Sequence, residues 1–176
     1  AVDVQVVGHF VYVALADGGL LIFDASDPAT LRQVGQIAIA GIGQIAIVGN
    51  YAYASFALNA IAGTAGILAI DISDPAQPTI VGSHEGIRLD RLRASGERLY
   101  ALGSGSLRVF DISNRTHPIL VSTNDSAETM AVSGNPDMLL ADSQHEGLIV
   151  REFPAVFVFG TDDNARDVFS RVIAGA

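Results

Sequence analysis

Apolar and polar residues alternate along most of this chain, in short runs separated by turn-forming residues. Gly, Asp and Pro dominate the separators. Strict alternation over four to eight residues is typical of half-buried strands. The pattern predicts four antiparallel strands before residue 40, at 3–7, 10–14, 20–24 and 32–37.

The same pattern is then repeated along the chain. The phrase Asp-x-Ser-Asp-Pro or a close variant starts at Asp24, Asp71 and Asp111, with spacings of 47 and 40 residues. A glycine recurs upstream of each phrase, and we call it the anchor glycine. A fourth unit lacks the phrase but keeps this glycine. The anchor glycines are Gly8, Gly49, Gly96 and Gly134.

Repeated four-stranded meanders of about 40 residues are the units of a β-propeller. We therefore predict an all-β protein, a β-propeller built of about four four-stranded antiparallel blades. The predicted blades span approximately 2–39, 43–83, 88–122 and 127–158, within a propeller region of 1–158.

The segment 159–176 departs from the strand pattern. Thr161 to Asn164 can cap a short amphipathic helix, which would place Val168 and Phe169 on one face. The alternative is a tail whose Gly160 to Asn164 stretch resembles the lead-in to calcium-binding RTX nonapeptides. No full nonapeptide is present, so we expect no cofactor, with calcium as the weak alternative.

Composition excludes several classes of function. The chain has a formal net charge of −9, its ten cations are all arginine, and it contains no Lys and no Cys. Schiff-base lysines, disulfides and zinc–thiolate sites are therefore absent. An acidic chain without a basic stripe does not favour nucleic acid, and no apolar run is long enough to span a bilayer.

The repeated phrases carry a resemblance to a known family. Residues 19–28, 66–75 and 106–115, together with 48–54, resemble the LVIVD-repeat family of bacterial and archaeal β-propellers. The resemblance covers about 2–158 and weakens in the fourth unit, where 151–154 replace the phrase. It implies an exported or cell-surface protein with no shared catalytic residues, although the composition also fits the cytoplasm.

The ends of the sequence carry no capping pattern. The chain begins at Ala1-Val2-Asp3, directly on a strand-like run. We expect a partial propeller whose terminal blades bury their apolar faces against missing blades or against a second copy of the chain, because unprotected strand edges associate.

Polar residues recur five positions before the anchor glycines, where the first strand of each blade begins. Propeller geometry places these strands around the central channel, so the residues would ring its mouth. They are simply solvated there, or they bind a ligand in a preformed concave site. The set is Asp3, Gln44, Arg91 and Thr129, with Asp90 and Glu128 beside them.

One loop breaks the period. Residues 55–65 are about six longer than their counterparts and carry Phe56, Leu58 and Ile61 without any charge. Insertions in repeat proteins map to loops, often on the binding face. The loop therefore docks a partner, or it folds back over its own blade.

The candidate catalytic groups have structural explanations. Asp and Ser of the repeated phrase bond nearby backbone N–H groups in tight turns, and the four histidines show no metal-ligand spacing. We predict no catalytic and no metal residues. The favoured function is a non-catalytic exported or cell-surface scaffold that binds protein or glycan. The alternative is a propeller enzyme, a hydrolase or lyase, with a polar site at the channel mouth.

Overall fold

The computed structural model describes residues 1–57, 65–125, 129–132, 138–143 and 147–152, and every regular element among them is a β-strand. Blade 1 consists of β1 (Asp3–Val7), β2 (Phe10–Leu15), β3 (Gly19–Asp24) and β4 (Arg32–Ile37). Blade 2 consists of β5 (Ile42–Val48), β6 (Tyr51–Ala57), β7 (Ala65–Asp71) and β8 (Thr79–Glu85).

Two further sheets follow the same plan. Blade 3 consists of β9 (Arg91–Ser95), β10 (Arg98–Gly103), β11 (Ser106–Asp111) and β12 (Ile119–Asp125). Blade 4 is described as three strands, β13 (Thr129–Val132), β14 (Met138–Ser143) and β15 (Gly147–Glu152). The predicted fourth strand of this blade and the predicted helix near 162–173 lie outside the described residues.

The prediction of antiparallel four-stranded blades is confirmed. In each sheet consecutive strands are neighbours, so every blade is a meander. The four strands of blade 1 match the predicted runs closely, because period-two alternation and short Gly-containing turns mark both ends of each strand. In blade 2 the second strand continues to Ala57, beyond the predicted run, and pairs there with Ala65.

The fourth strand of each complete blade is bulged. The pairing register between the third and fourth strands shifts after Ile22, Ala69 and Val109, at equivalent places in the repeat. Bulges at sheet edges bend the strand and interrupt the row of free backbone groups. The outer edges of the blades are thereby protected against strand-to-strand association.

Neighbouring blades pack face to face through apolar side chains. The first strands lie side by side in chain order, β1 beside β5, β5 beside β9, and β9 beside β13. One core cluster joins blades 1 and 2, where Tyr12 and Ile22 meet Ala52 and Ile70. A second cluster joins the opposite face of blade 2 to blade 3, with Tyr53 against Leu99 and Phe110 among its members. The core of the molecule is the set of these junctions.

A backbone contact near the outer strand completes each of these two junctions. A Cβ added at Gly35 in β4 would lie 1.9 Å from the Pro75 carbonyl oxygen of the next blade, and one at Gly82 in β8 would lie 1.8 Å from the Thr116 carbonyl oxygen. The Tyr53 hydroxyl also donates to the Arg115 carbonyl oxygen at 3.0 Å. The turn after the third strand of one blade is thus seated on the blade before it.

We predict that Gly82→Ala destabilises the protein by about 1–3 kcal/mol, the usual cost of forcing extra volume into a packed contact. The added methyl group would collide with the backbone of the next blade, which cannot move aside as a side chain can. Urea unfolding followed by circular dichroism measures the change. The control is Ser83→Ala, at the exposed neighbouring position of the same strand, which should shift stability by less than about 0.5 kcal/mol.

Candidate functional site

The starts of the first strands and the connections between second and third strands lie at one rim of the molecule. Asp3 pairs with Ala14 and Leu15 with Gly19, so β1 begins beside the β2–β3 turn. The connections from each fourth strand to the next blade, at 38–41 and 86–90, reach the same rim. We call this edge the loop rim. The opposite edge, which carries the turns after the first and third strands, is the turn rim.

The structure places the predicted channel-mouth residues at matching positions on the loop rim. Asp3 pairs with Ala14, Arg91 with Leu102, and Thr129 with Asp142, three equivalent steps of the repeat. Gln44 lies in the stretch of β5 where the pairing is interrupted between Ile42 and Ile45. Glu128 lies outside the described residues.

Asp3 has a structural task at this rim. One of its carboxylate oxygens accepts from its neighbour Val4 N–H at 2.9 Å, and the other accepts from Ile45 N–H of blade 2 at 3.0 Å. The Gln44 N–H donates to the Ser55 hydroxyl oxygen at 2.8 Å. The irregular start of β5 is therefore fixed from both sides, and the Asp3 carboxylate joins blade 1 to blade 2.

The exposed charges of the loop rim are concentrated at the start of blade 3. Asp90 and Arg91 are exposed, and the Asp90 N–H donates to the Leu102 carbonyl oxygen at 2.8 Å, which fixes the backbone below them. Arg88 and Arg93 are exposed on either side of this pair. Sequence reasoning missed these two arginines, although their spacing from Arg91 on an acidic chain is a readable signal.

The apolar insertion is only partly described. Phe56 lies in β6 and is buried in the cluster between blades 1 and 2, so its side chain packs within the protein. The connection between β6 and β7 then comprises 58–64, against three residues between β2 and β3. Leu58 and Ile61 fall in that connection, outside the described residues.

The repeated phrase forms the turns of the turn rim. The carboxylates of Asp24, Asp71 and Asp111 each accept from the N–H of the serine two positions later, at 2.8–2.9 Å. These bonds lower the pKa of all three carboxyl groups. For Asp24 the Ser26 hydroxyl is the largest cause, and for Asp71 it is the Ser73 backbone N–H. A carboxylate that stays ionised at neutral pH carries no proton to donate and does not serve as a general acid there.

Asp111 is the most strongly held of these carboxylates. The hydroxyl and N–H of Ser113 and an ion pair with Arg98 lower the pKa of Asp111 to about 2. In the described part of the chain, no three or more His, Asp or Glu side chains are grouped as a metal site would require. The turns are built as structural caps.

We predict that Asp3→Ala lowers the free energy of unfolding by about 1 kcal/mol, because the N–H of Ile45 loses its acceptor at the junction of two blades. Chemical denaturation measures the change. The matched control is Asp17→Ala, an exposed residue in the β2–β3 turn of the same rim. Equal effects of the two substitutions would show that Asp3 does not join the blades.

A second prediction concerns acid stability. Because the pKa of Asp111 in the folded state is about 2 and that of an unfolded aspartate is near 4, protonation favours unfolding. The stabilisation is complete above about pH 4 and is lost as the pH falls towards about 2. The melting temperature should therefore fall over this interval, and Asp111→Asn should reduce the slope. An unchanged slope in the variant would contradict the assignment.

Comparison with solved structures shows the propeller fold. The matches include BamB from Moraxella catarrhalis, with a TM-score of 0.61 at 14% identity over 85% of this chain and 42% of that chain. The complex of KlAtg21 with the coiled-coil of AgAtg16 gives 0.60 at 15% over 87% and 52%. Oligogalacturonate lyase in complex with manganese gives 0.55 at 15% over 84% and 46%. The chain spans about half the length of these proteins.

Family comparison bears directly on the repeat. A search of curated proteins finds no match to the chain. The model of the LVIVD repeat matches residues 1–38, 42–85 and 90–126, which are blades 1, 2 and 3. The matched segments include all three copies of the repeated turn and cover more than half of the sequence. The chain therefore belongs to the LVIVD-repeat family and is folded as blades of a β-propeller.

Proposed function

We propose that this protein is a non-catalytic propeller scaffold that binds a protein or glycan partner through its loop rim. The observation that carries the proposal is the clustering of exposed charge at this rim. Asp90 and Arg91 lie at the start of β9, and on the same rim Ala57 pairs with Ala65, between which the apolar connection runs in sequence. On the turn rim, in contrast, the repeated turns are closed by their own carboxylates.

The character of the loop rim supports binding of a polar partner. Arg88, Arg91 and Arg93 are exposed within one short stretch of a chain whose net charge is −9. Arginine presents several donors in a planar fork and is enriched at interfaces. Acidic side chains of a protein and the carboxylates of an acidic glycan match this chemistry. Asp90 adds an acceptor beside the arginines.

The structural neighbours are consistent with this role at the level of the fold. They include the Mitotic Checkpoint Complex and KlAtg21 in complex with the coiled-coil of AgAtg16, as well as the manganese-bound lyase. A shared fold at such low identity does not carry a function from one protein to another. The chain's repeated carboxylates support the scaffold, because they are engaged in turns with lowered pKa values.

We also propose an exported or cell-surface location. The support is family membership, since LVIVD-repeat propellers are expected at the cell surface. No helix capable of crossing a membrane is found in the described parts of the chain. Fractionation of cells producing the full-length protein, with detection by an antibody, tests the location.

The test of binding uses the full chain on a glycan array and, in parallel, protein capture by a photo-crosslinking residue at position 88. The affinity of each purified candidate is then measured by calorimetry. The double variant Asp90→Ser/Arg91→Ser should weaken binding about tenfold or more, the equivalent of about 1.4 kcal/mol, at an unchanged melting temperature. Replacing 58–64 by Gly-Ser, with Phe56 kept in the core, should also weaken binding to the same partner.

The matched control lies on the turn rim. Glu97→Ser/His117→Ser removes two exposed side chains from that edge and should leave the affinity unchanged. A larger loss in the control than in the loop-rim variant would contradict the proposal. Cleavage of a glycan on the array that Asp90→Ser/Arg91→Ser abolishes would instead favour the hydrolase or lyase alternative.

A further inference from the structure

The turn after the third strand has a different sequence in blade 3 from its counterparts. Blades 1 and 2 carry Ser-Asp-Pro-Ala at 26–29 and 73–76, whereas blade 3 carries Ser-Asn-Arg-Thr at 113–116. The three consecutive differences produce Asn-x-Thr with a residue other than proline in the middle. This is the acceptor sequence for N-linked glycosylation. The turns of blades 1 and 2 fail all three of its requirements.

The geometry of the turn does not explain these differences. Asp27 and Asp74 each accept from the N–H two positions later at 3.0 Å, and Asn114 accepts the same bond from the Thr116 N–H at 3.2 Å. The backbone bond that spans three positions is also the same in the three turns, at 3.0–3.1 Å. An aspartate therefore closes this turn as well as an asparagine does.

The side chain of Asn114 is exposed, and its amide group has a fixed orientation. The carbonyl oxygen of this amide accepts from both the N–H and the hydroxyl of Thr116, at 3.2 and 3.0 Å. Because a backbone N–H only donates, the atom that it contacts is the oxygen rather than the nitrogen. The amide nitrogen makes no hydrogen bond to the described residues. The atom that glycosylation modifies is therefore accessible.

The backbone of the same turn is attached to blade 2. The Arg115 carbonyl oxygen accepts the Tyr53 hydroxyl at 3.0 Å, and the Thr116 carbonyl oxygen lies against Gly82. These contacts use backbone oxygens of the turn, whereas the Asn114 side chain is exposed. A sugar on Asn114 would therefore leave the junction of the blades intact. It would also lie on the turn rim, away from the loop rim.

We propose that Asn114 is an N-glycosylation site that receives an oligosaccharide from a lipid-linked diphosphate donor. The amide nitrogen of Asn114 forms a bond to the anomeric carbon of the first sugar, and the bond from that carbon to the diphosphate oxygen breaks. The lipid diphosphate leaves with the electron pair, and the amide loses one proton to solvent. The cell supplies the transferase and the donor outside the cytoplasm, so the inference rests on the exported location that we propose.

A second Asn-x-Ser sequence at 124–126 provides a contrast within the chain. Asn124 lies in β12, where it is half-buried and pairs with Leu107. Ser126 lies outside the described residues. A residue paired in a sheet presents its amide less freely than one in an exposed turn, and surface loops are the usual place of modified asparagines. We therefore expect the glycan at Asn114.

The experiment uses the full-length protein purified from the cells that make it. Trypsin cleaves after Arg108 and Arg115 and releases the peptide 109–115, which contains Asn114 but not Asn124. Mass spectrometry of the digest thus reads the two asparagines separately. The peptide 109–115 should carry the additional mass of an oligosaccharide and should release sugar fragments on collision.

The variant Arg115→Pro separates the acceptor role from the structure of the turn. It keeps Asn114 and Thr116, and it gives blade 3 the proline that blades 1 and 2 have at this position. The modification should be lost, because proline in the middle of the acceptor sequence prevents it. The melting temperature, measured on protein from a host without the transferase, should stay within about 2 °C of the parent value.

The matched control transfers the acceptor sequence to the turn of blade 2. Asp74 is exposed there as Asn114 is in blade 3. The triple variant Asp74→Asn/Pro75→Arg/Ala76→Thr should therefore carry a second glycan, seen as a second increment in the mass of the intact protein.

Three results would overturn the proposal, and they separate it from the proposed location. Protein recovered outside the cytoplasm with an unmodified peptide 109–115 would refute the site and leave the location standing. Protein found only in the cytoplasm would refute both. A glycan on Asn124 in place of Asn114, or one that persists in Arg115→Pro, would show that the turn of blade 3 is not the acceptor.

Discussion

The structure depends on the packing of one blade face against the next. A single four-stranded meander has two apolar faces and cannot bury either by itself, so each blade derives its stability from its neighbours. Tyr53 and Ile67 are fully buried only because blade 3 covers them, and Ile45 and Ile70 only because blade 1 does. The hydrogen bonds of the strands and turns shape the blades, and the junctions hold them together.

The same constraint explains which side chains can change without loss of the fold. Residues on the faces must fit a neighbour, and carboxylates on the turn rim are bound within their own turns. Asp3 resembles a ligand-binding residue by position, yet both of its carboxylate oxygens are taken by backbone donors. The exposed Asp90 and Arg91 at the start of β9 lie neither on a packed face nor in a repeated turn. A binding surface on this scaffold has most room to vary there.

Much of the fold could be predicted from the sequence, because its signals are local. Period-two alternation located β1 to β4, and the recurrence of Asp24, Asp71 and Asp111 set the repeat. The contacts between blades could not be predicted in this way. The hydrogen bond between Asp3 and Ile45 joins residues 42 positions apart, and no local sequence pattern indicates it. Phe56 was assigned to an apolar loop, since nothing in the sequence shows that β6 continues to Ala57 and buries it.

The meander topology has a consequence for how the protein folds. Strands that are neighbours in a sheet are also neighbours in the chain, and each repeated turn is closed by bonds between residues two or three positions apart. Contacts of such short range cost little chain entropy to form and favour rapid folding. During synthesis a blade can pair its strands soon after it emerges, and the next blade then assembles on its free face.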